Sequence, residues 1–388
     1  MLFSERIPDD LSHNRITQAL ESRSRTEVLD LTESNPTRCG FEYPRTLLSS
    51  LNQPQNLVYQ PDPFGHPQAR QAVANYLGSK GLRVRPDHLL LTASTSEAYS
   101  YIFKLLGNPG DSFLVQTPAY PLLEPLAQLE SVKLFHFPSR VEPGWPVDWR
   151  ALEKTSPCKG LIVVNPHNPC GSFLSLEDEK GLQNHCEKKG MAYISDEVFA
   201  DFAYPGHSFV RQENPEVLSF RLGGLSKSLG MPQLKLSWVV FEGPRKILAE
   251  CRERLELIAD TYLSVNTPVQ GAAEELLRFA PRFQEQLLQR VLANRAFLAE
   301  KLLEESLVKL WPAQGGWYAL LEITGGGVTD EEWVVKLLEK QEVLIQPGGF
   351  YDFPKGRFLV LSLLPKPELF QEGISRFCRF LAEKTIRP

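Results

Sequence analysis

The chain has 388 residues, a charged fraction of 23% and a formal net charge of −5. This length exceeds what one hydrophobic core ordinarily accommodates, so we expect two domains. No lysine- and arginine-rich block stands out, which argues against nucleic acid as a partner. The sequence shows neither a signal peptide nor an apolar run long enough to span a bilayer. No membrane partner is therefore expected. Its six cysteines are scattered, which favours reduced thiols in a cytoplasmic protein.

The first part of the chain, residues 1–45, is predicted to form an N-terminal arm. The pattern indicates a helix over 14–22, an apolar stretch at 28–31 and a turn-rich segment at 33–37.

In residues 46–243, short apolar runs alternate with helical stretches. This alternation is typical of an α/β domain whose mostly parallel sheet is covered by helices on both faces. The predicted strands are 87–92, 112–116, 132–137, 160–164, 191–195, 217–222 and 236–241. The predicted helices are 67–79, 95–106, 121–129, 176–188 and 197–203.

The pattern changes in residues 244–388, which we expect to form an interdomain helix and a smaller α+β domain. Thr329 and Glu332 form a capping-box sequence that opens a helix in its middle. The predicted helices are 244–263, 280–306, 330–341 and one starting at 367, and the predicted strands are 317–323, 343–346 and 358–363.

Three polar side chains at the ends of predicted strands match what pyridoxal phosphate requires. In open α/β sheets the ligand binds beyond the carboxyl ends of the strands. Lys227 would form the Schiff base (the internal aldimine) and shuttle the α-proton. Asp196 would keep the pyridinium nitrogen protonated, and Asn168 would donate to the ring hydroxyl. In isolation Lys227 would be a surface charge, Asp196 an N-cap and Asn168 part of a plain turn.

The segment from Ala93 to Glu97 is predicted to hold the cofactor phosphate. Ser94 and Glu97 form a capping-box sequence, and a helix N-terminus with hydroxyls at Ser94 and Thr95 is also an anion cradle. Tyr120 is the candidate platform that stacks on the cofactor ring. No histidines stand at metal-ligand spacing, so no metal is expected.

Taken together, the strings resemble class I/II aminotransferases of the aspartate aminotransferase superfamily, which are fold type I pyridoxal phosphate enzymes. The strings are Tyr59…Gly65…Ala69-Arg70, Leu91-Thr92-Ala93-Ser94-Thr95, Pro109-Gly110-Asp111, Pro118-x-Tyr120, Asn165-Pro-x-Asn168-Pro-x-Gly171, Asp196-Glu197-Val198, Leu225-Ser226-Lys227, Gly315-Gly316-Trp317-Tyr318 and Pro347-Gly348.

The resemblance implies a seven-stranded sheet in a large domain and a small domain built from both chain ends. It also implies a homodimer whose active sites lie at the interface. In such a dimer Tyr59 would contact the phosphate of the partner subunit's cofactor. Ala93, Ser226 and Lys235 join the predicted cofactor-binding residues on the same grounds.

Four positions depart from the family pattern. Phe199 replaces a tyrosine and removes a hydrogen bond to the ring hydroxyl. Gly224 replaces a serine and removes a phosphate contact. Lys235 replaces an arginine and pairs with phosphate as a point charge. Val360 stands where the family holds the substrate α-carboxylate with an arginine, and that bidentate pair is a strong interaction.

We hypothesise that Arg38 replaces the missing arginine, with Arg357 as the second candidate. The alternative for Arg38 is an ordinary surface residue. Asn35, Asn168 and Trp317 complete the predicted substrate-binding residues.

The sequence therefore predicts a pyridoxal phosphate-dependent aminotransferase that moves an amino group between an amino acid and a 2-oxo acid. One alternative is a fold type I lyase, decarboxylase or cyclase acting on an amino acid, which the missing arginine leaves open. A regulatory protein that binds the cofactor without turnover is disfavoured, because no basic helix-turn-helix pattern is visible.

Overall fold

The computed structural model describes residues 3–8, 10–21, 23, 28–263, 265–325 and 327–385. The strands in chain order are β1 Leu29–Asp30, β2 Leu89–Thr92, β3 Ser112–Thr117, β4 Lys133–Pro138, β5 Gly160–Val164, β6 Ala192–Asp196, β7 Ser219–Gly224, β8 Ser237–Glu242, β9 Val308–Leu310, β10 Tyr318–Ile323, β11 Val343–Leu344, β12 Gln346–Pro347 and β13 Phe358–Ser362. The helices are α1 Arg15–Glu21, α2 Thr46–Ser49, α3 Pro67–Ser79, α4 Thr95–Leu106, α5 Leu123–Leu129, α6 Trp149–Glu153, α7 Leu176–Lys189, α8 Leu225–Ser228, α9 Arg245–Tyr262, α10 Thr267–Lys301, α11 Asp330–Gln341 and α12 Pro367–Thr385.

The largest sheet has seven strands in the order β2-β8-β7-β6-β5-β3-β4. Strand β8 runs antiparallel to β2 and β7, and the other neighbouring pairs are parallel. Most of its strands are apolar and buried, as expected when helices cover both faces. The predicted seven-stranded, mostly parallel sheet is confirmed.

The C-terminal part of the chain contains a second, four-stranded antiparallel sheet in the order β12-β13-β10-β9. Strand β1 pairs in parallel with β11, so the N-terminal segment adds to this part of the molecule. The capping box predicted for α11 is present, with Glu332 N–H donating to Thr329 Oγ1 at 3.2 Å and Thr329 N–H to Glu332 Oε2 at 3.2 Å. The last residue of the helix predicted at 14–22, Ser22, lies outside the described residues.

Two helix predictions need correction. The predicted helix 197–203 is wrong, because residues 198–201 form turns. There the Asp196 side chain accepts from the N–H of Val198 at 3.2 Å, a local bond that competes with helix formation. Helix α10 begins at Thr267, earlier than the predicted 280, because proline in a first turn needs no N–H donor and Asn266 caps the helix.

The edge of the seven-stranded sheet at which the parallel strands end is where the polar side chains collect. Asp196 ends β6 and Gly224 ends β7. Since β8 is antiparallel, its first residue, Ser237, lies at this same edge and pairs with both Gly224 and Thr92. The topology thus gathers residues from strand starts as well as strand ends.

Candidate active site

A cavity of about 270 Å³ opens at this edge of the large sheet. Its wall combines residues from the large sheet, from the loops after its strands, and from the C-terminal sheet. The wall residues are Ser34, Thr95, Tyr120, Pro121, Val164, Asn168, Asp196, Val198, Phe199, Gly224, Ser226, Lys227, Ser237, Tyr318, Gln346 and Tyr351.

Lys227 projects from the short helix α8, directly after β7. Its Nζ lies 4.9 Å from the ring centroid of Trp317 and 5.3 Å from that of Phe199. Burial lowers the pKa of the Lys227 amine to about 8, although the charge of Asp196 opposes this shift. A lowered pKa leaves a substantial neutral fraction near physiological pH, and only the neutral amine is a nucleophile.

Asp196 is held at the floor of the cavity with only 7% of its surface exposed. Burial raises the pKa of its carboxyl to about 6, while hydrogen bonds from Val198 and Tyr99 and the charge of Lys227 act in the opposite direction. Tyr99 Oη donates to Asp196 Oδ2 over 3.3 Å. A buried carboxylate of this kind is stabilised by a cation placed against it.

Asn168 is buried and faces the same cavity. Its Oδ1 atom has no hydrogen-bond partner among the described residues. Native proteins rarely leave such an atom unpaired. The position therefore suits a ligand group that donates a hydrogen bond to this amide oxygen.

The N-terminus of α4 contributes Thr95 to the wall. Ser94 Oγ accepts from Glu97 N–H at 3.1 Å, and Glu97 Oε2 accepts from Ala93 N–H at 2.6 Å. The N–H groups of Ala93 and Glu97 are thus already hydrogen-bonded. The N–H groups of Thr95 and Ser96, by contrast, have no acceptor in the described part of the chain. A helix N-terminus with free N–H groups favours an anion.

Tyr120 stands in the wall and is partly exposed. Burial raises the pKa of its hydroxyl to about 12, with the nearby Tyr318 and Asp196 adding to the shift. Tyr120 is therefore a neutral aromatic surface facing the cavity at physiological pH.

This set of an amine, a buried carboxylate and an anion-binding helix end agrees with the family to which the sequence is similar. Residues 27–369 match the family model described as aminotransferase class I and II. This chain belongs to that family.

Two curated relatives of this aminotransferase cover nearly its whole length. The glutamate-pyruvate aminotransferase of Haemophilus influenzae is 25% identical over 369 residues, which are 92% of this chain and 91% of that protein. The alanine aminotransferase of Mycobacterium tuberculosis is 27% identical over 367 residues, 91% of this chain and 85% of that protein.

Solved structures show the same fold. An alanine aminotransferase from Pyrococcus furiosus has a TM-score of 0.87 at 25% identity, covering 95% of this chain and 96% of that one. An aspartate aminotransferase from Thermotoga maritima has a TM-score of 0.83 at 22% identity, covering 98% of this chain and 100% of that one.

Two of the predicted substrate residues of this aminotransferase lie outside the cavity wall. Arg38 has a side chain that is 75% exposed, and it lies 3.7 Å from Glu33. Asn35 caps a short 3₁₀ helix, since its Oδ1 accepts from Thr37 N–H at 3.1 Å. Within one subunit the structure does not bring these side chains to the site.

The position of the missing arginine is filled by apolar packing. Val360 is buried in a cluster that includes Trp311 and Tyr351. Arg357, the second candidate, donates to the carbonyl oxygens of Val328 at 2.7 Å and Gly325 at 3.1 Å, away from the cavity. Among the described wall residues, Lys227 is the basic one.

The cavity wall also lacks Trp317, Lys235 and Tyr59, which were among the predicted residues. Trp317 is fully buried and packs edge-on against Phe199, with ring centroids 5.2 Å apart, so it supports the wall from behind. Lys235 is exposed and itself adopts the left-handed conformation, with φ 53°. Tyr59 is 66% exposed in the single subunit.

Four polar residues that line or support the site were not predicted from the sequence. They are Ser34, Tyr99, Ser237 and Gln346. The segment that contains Ser34 is held at the cavity by a residue distant in the sequence: Ser362 Oγ donates to the carbonyl oxygen of Glu33 at 2.6 Å. Gln346 precedes the Pro347-Gly348 string, which was the available signal for it.

The described residues contain no group of three or more histidine, cysteine, aspartate or glutamate side chains arranged to hold a metal ion. None of the described helices has the length and apolar character needed to cross a bilayer.

Proposed function

We propose that this aminotransferase uses pyridoxal 5′-phosphate and that the cavity is its active site. The observation that carries the proposal is that Lys227 and Asp196 face one cavity that also contains the N-terminus of α4. When bound, pyridoxal phosphate supplies a carbonyl that condenses with amines and a cationic ring that accepts electrons from the substrate α-carbon.

Each of these side chains then has a distinct role. Lys227 would hold the cofactor and, once free, would act as the base and acid at the substrate α-carbon. Asp196 would pair with the ring nitrogen, and Asn168 would bind the ring hydroxyl. Tyr120 would pack on the ring and exclude water. Thr95, at the start of α4, would bind the phosphate.

The wall favours a donor amino acid with a neutral side chain. Glutamate would bring a second carboxylate, yet the described wall contains no arginine to receive it. The aromatic rings of Tyr318 and Tyr351 provide apolar surface with hydroxyl groups. The names of the relatives mention alanine, glutamate and pyruvate, so alanine is the donor that agrees with both lines of reasoning.

A homodimer is part of the proposal. Leu57, Val58 and Tyr59 form an exposed apolar run with 91%, 56% and 66% of their surfaces accessible. Contiguous exposed apolar residues are typical of an interface. In sedimentation experiments Leu57→Glu is expected to weaken the dimer, whereas Leu303→Glu, at an exposed leucine elsewhere, leaves it intact.

We also propose a cytoplasmic location, since all six cysteines are free.

The function is tested by incubating the cofactor-loaded protein with single amino acids and no acceptor. Transamination predicts about one equivalent of pyridoxamine phosphate and of 2-oxo acid per subunit, with alanine among the active donors. Lys227→Ala is expected to abolish this conversion, whereas Lys246→Ala, at an exposed lysine of α9, retains it.

Two other outcomes would overturn the transaminase proposal. Release of ammonia with unchanged cofactor would identify a fold type I lyase, the alternative that the apolar surroundings of Val360 favour. Cofactor binding without turnover of any amine would point to a regulatory protein.

A further inference from the structure

Gly224 and Ser237 are direct partners across the antiparallel pair β7 and β8. A Cβ atom built on Gly224 would overlap with Ser237 Oγ and would lie 2.9 Å from Ser237 Cβ. The backbone of Gly224 is extended, with φ 176° and ψ 160°, a conformation open to any residue. Glycine is therefore required at 224 by lack of space, because the side chain of Ser237 already fills it.

The hydroxymethyl group of Ser237 thus occupies the volume into which a side chain at 224 would project. Ser237 is 1% exposed and nevertheless belongs to the cavity wall, as do Thr95 and Ser226. Its partner across β2 and β8 is Thr92, and α4 begins three residues after Thr92, so the strand pairing brings Ser237 to the segment that opens α4. Hydroxyl and N–H donors that converge beside a helix N-terminus suit a phosphate.

We propose that Ser237 is a phosphate-binding residue that replaces, from the neighbouring strand, the serine hydroxyl absent at Gly224. The inference rests on the proposed use of pyridoxal phosphate. This proposal explains both residues together. The hydroxyl is supplied by β8 instead of β7 and lies in the same part of the cavity, and the absence of a side chain at Gly224 leaves the space that it needs.

The test compares the affinities of the cofactor-free protein for pyridoxal phosphate and for pyridoxal, which lacks the phosphate. Ser237→Ala is expected to weaken binding of pyridoxal phosphate by roughly tenfold or more, as for loss of a hydrogen bond to a charged group. Its affinity for pyridoxal is expected to stay unchanged. The phosphorus NMR signal of the bound cofactor should shift as well.

The matched control is Ser228→Ala. Ser228 is also buried, but its Oγ donates to the carbonyl of Gly224 at 3.0 Å and it does not belong to the cavity wall. This variant is expected to bind pyridoxal phosphate as the wild type does.

An exchange of the two residues gives an independent check. Gly224→Ser alone should weaken binding because the added side chain collides with Ser237, and the double variant Gly224→Ser/Ser237→Gly should recover most of the affinity.

A double variant no better than either single variant would overturn the inference, as would equal losses for pyridoxal and pyridoxal phosphate in Ser237→Ala. If the wild type bound no pyridoxal phosphate at all, the proposed function itself would fail. Normal wild-type binding with an unaffected Ser237→Ala would overturn only the role of Ser237.

Discussion

The hydroxyl of Tyr99 donates a hydrogen bond to Asp196 Oδ2 over 3.3 Å, and this contact joins helix α4 to the end of strand β6. Helix α4 also carries the free N–H groups of Thr95 and Ser96 at its N-terminus. One rigid helix thereby positions both the proposed phosphate site and the carboxylate proposed to hold the ring nitrogen.

Tyr99→Phe is expected to lower kcat by about tenfold and to leave KM nearly unchanged, because a hydrogen bond to a charged group is lost without removing a substrate contact. Steady-state kinetics on cofactor-saturated protein measure this split. Tyr101→Phe, on the same helix but packed against Tyr262 with ring centroids 5.2 Å apart, is the control. Equal effects of the two variants would show that Tyr99 acts only through packing.

The carboxyl of Asp196 is expected to make the stability of the cofactor-free protein fall with rising pH. Burial raises its pKa from 3.8 to about 6, so the folded protein binds more protons than the unfolded chain in this range. The stabilisation is complete below pH 4 and is lost as the pH rises through 6. Burial also lowers the pKa of His167 to about 4, which acts in the opposite direction over the same range, so the test is the difference in unfolding free energy between the wild type and Asp196→Asn. Measured by denaturant unfolding at pH 4 to 7, this difference should fall with rising pH, and parallel profiles would contradict the assignment.

Lys227 is expected to set the pH dependence of cofactor attachment. Because burial lowers the pKa of its amine to about 8, the neutral form reaches one half at that pH and approaches its maximum only well above it. The rate of cofactor incorporation, followed by visible absorption between pH 6 and 9.5, should have its midpoint near 8. Borohydride reduction and peptide mass spectrometry should locate the cofactor on Lys227. A midpoint near 10 would indicate an amine exposed to water.

Phe199→Tyr is expected to lower the pH midpoint of the visible absorption of the bound cofactor by about one unit. Phe199 lines the cavity, and a tyrosine hydroxyl there would donate to the ring oxygen and stabilise its charged form. A pH titration of the spectrum measures the shift. Phe202→Tyr, behind the wall and packed on Trp317 at 5.1 Å, provides the comparison. An unshifted midpoint in Phe199→Tyr would place the new hydroxyl out of reach.

Arg38→Ala is expected to change KM for the amino acid by less than twofold. The side chain is mostly exposed, and exposed ion pairs such as that with Glu33 contribute little. The measurement is KM under saturating acceptor, with Arg140→Ala, another exposed arginine paired with a glutamate, as control. A rise of tenfold or more would restore Arg38 as the substitute for the missing family arginine.

Signals that are local in the sequence were sufficient for much of this fold. The seven strands and the helices α3, α4, α5 and α7 of residues 46–243 follow from apolar periodicity. The capping box at Thr329 is a contact between residues three apart. Lys227, Asp196 and Asn168 could be grouped because the carboxyl ends of parallel strands share one edge. The domain boundaries after residues 45 and 243 stay predictions.

Other features depended on contacts between residues far apart in the chain, which no local pattern encodes. The antiparallel direction of β8 brings Ser237 to the site, and only the pairing of β7 with β8 explains Gly224. Tyr99 and Asp196 are 97 residues apart in the chain, and they meet because α4 packs on the sheet. Arg38 was a reasonable candidate by sequence position, but the chain folds it outward beside Glu33. Hydrophobic periodicity and capping act over a few residues, so most of the elements, and the chemistry of the side chains at their ends, could be predicted from local sequence. Which side chains meet in the cavity was decided by tertiary structure, because strand order, strand direction and close packing are properties of the whole chain.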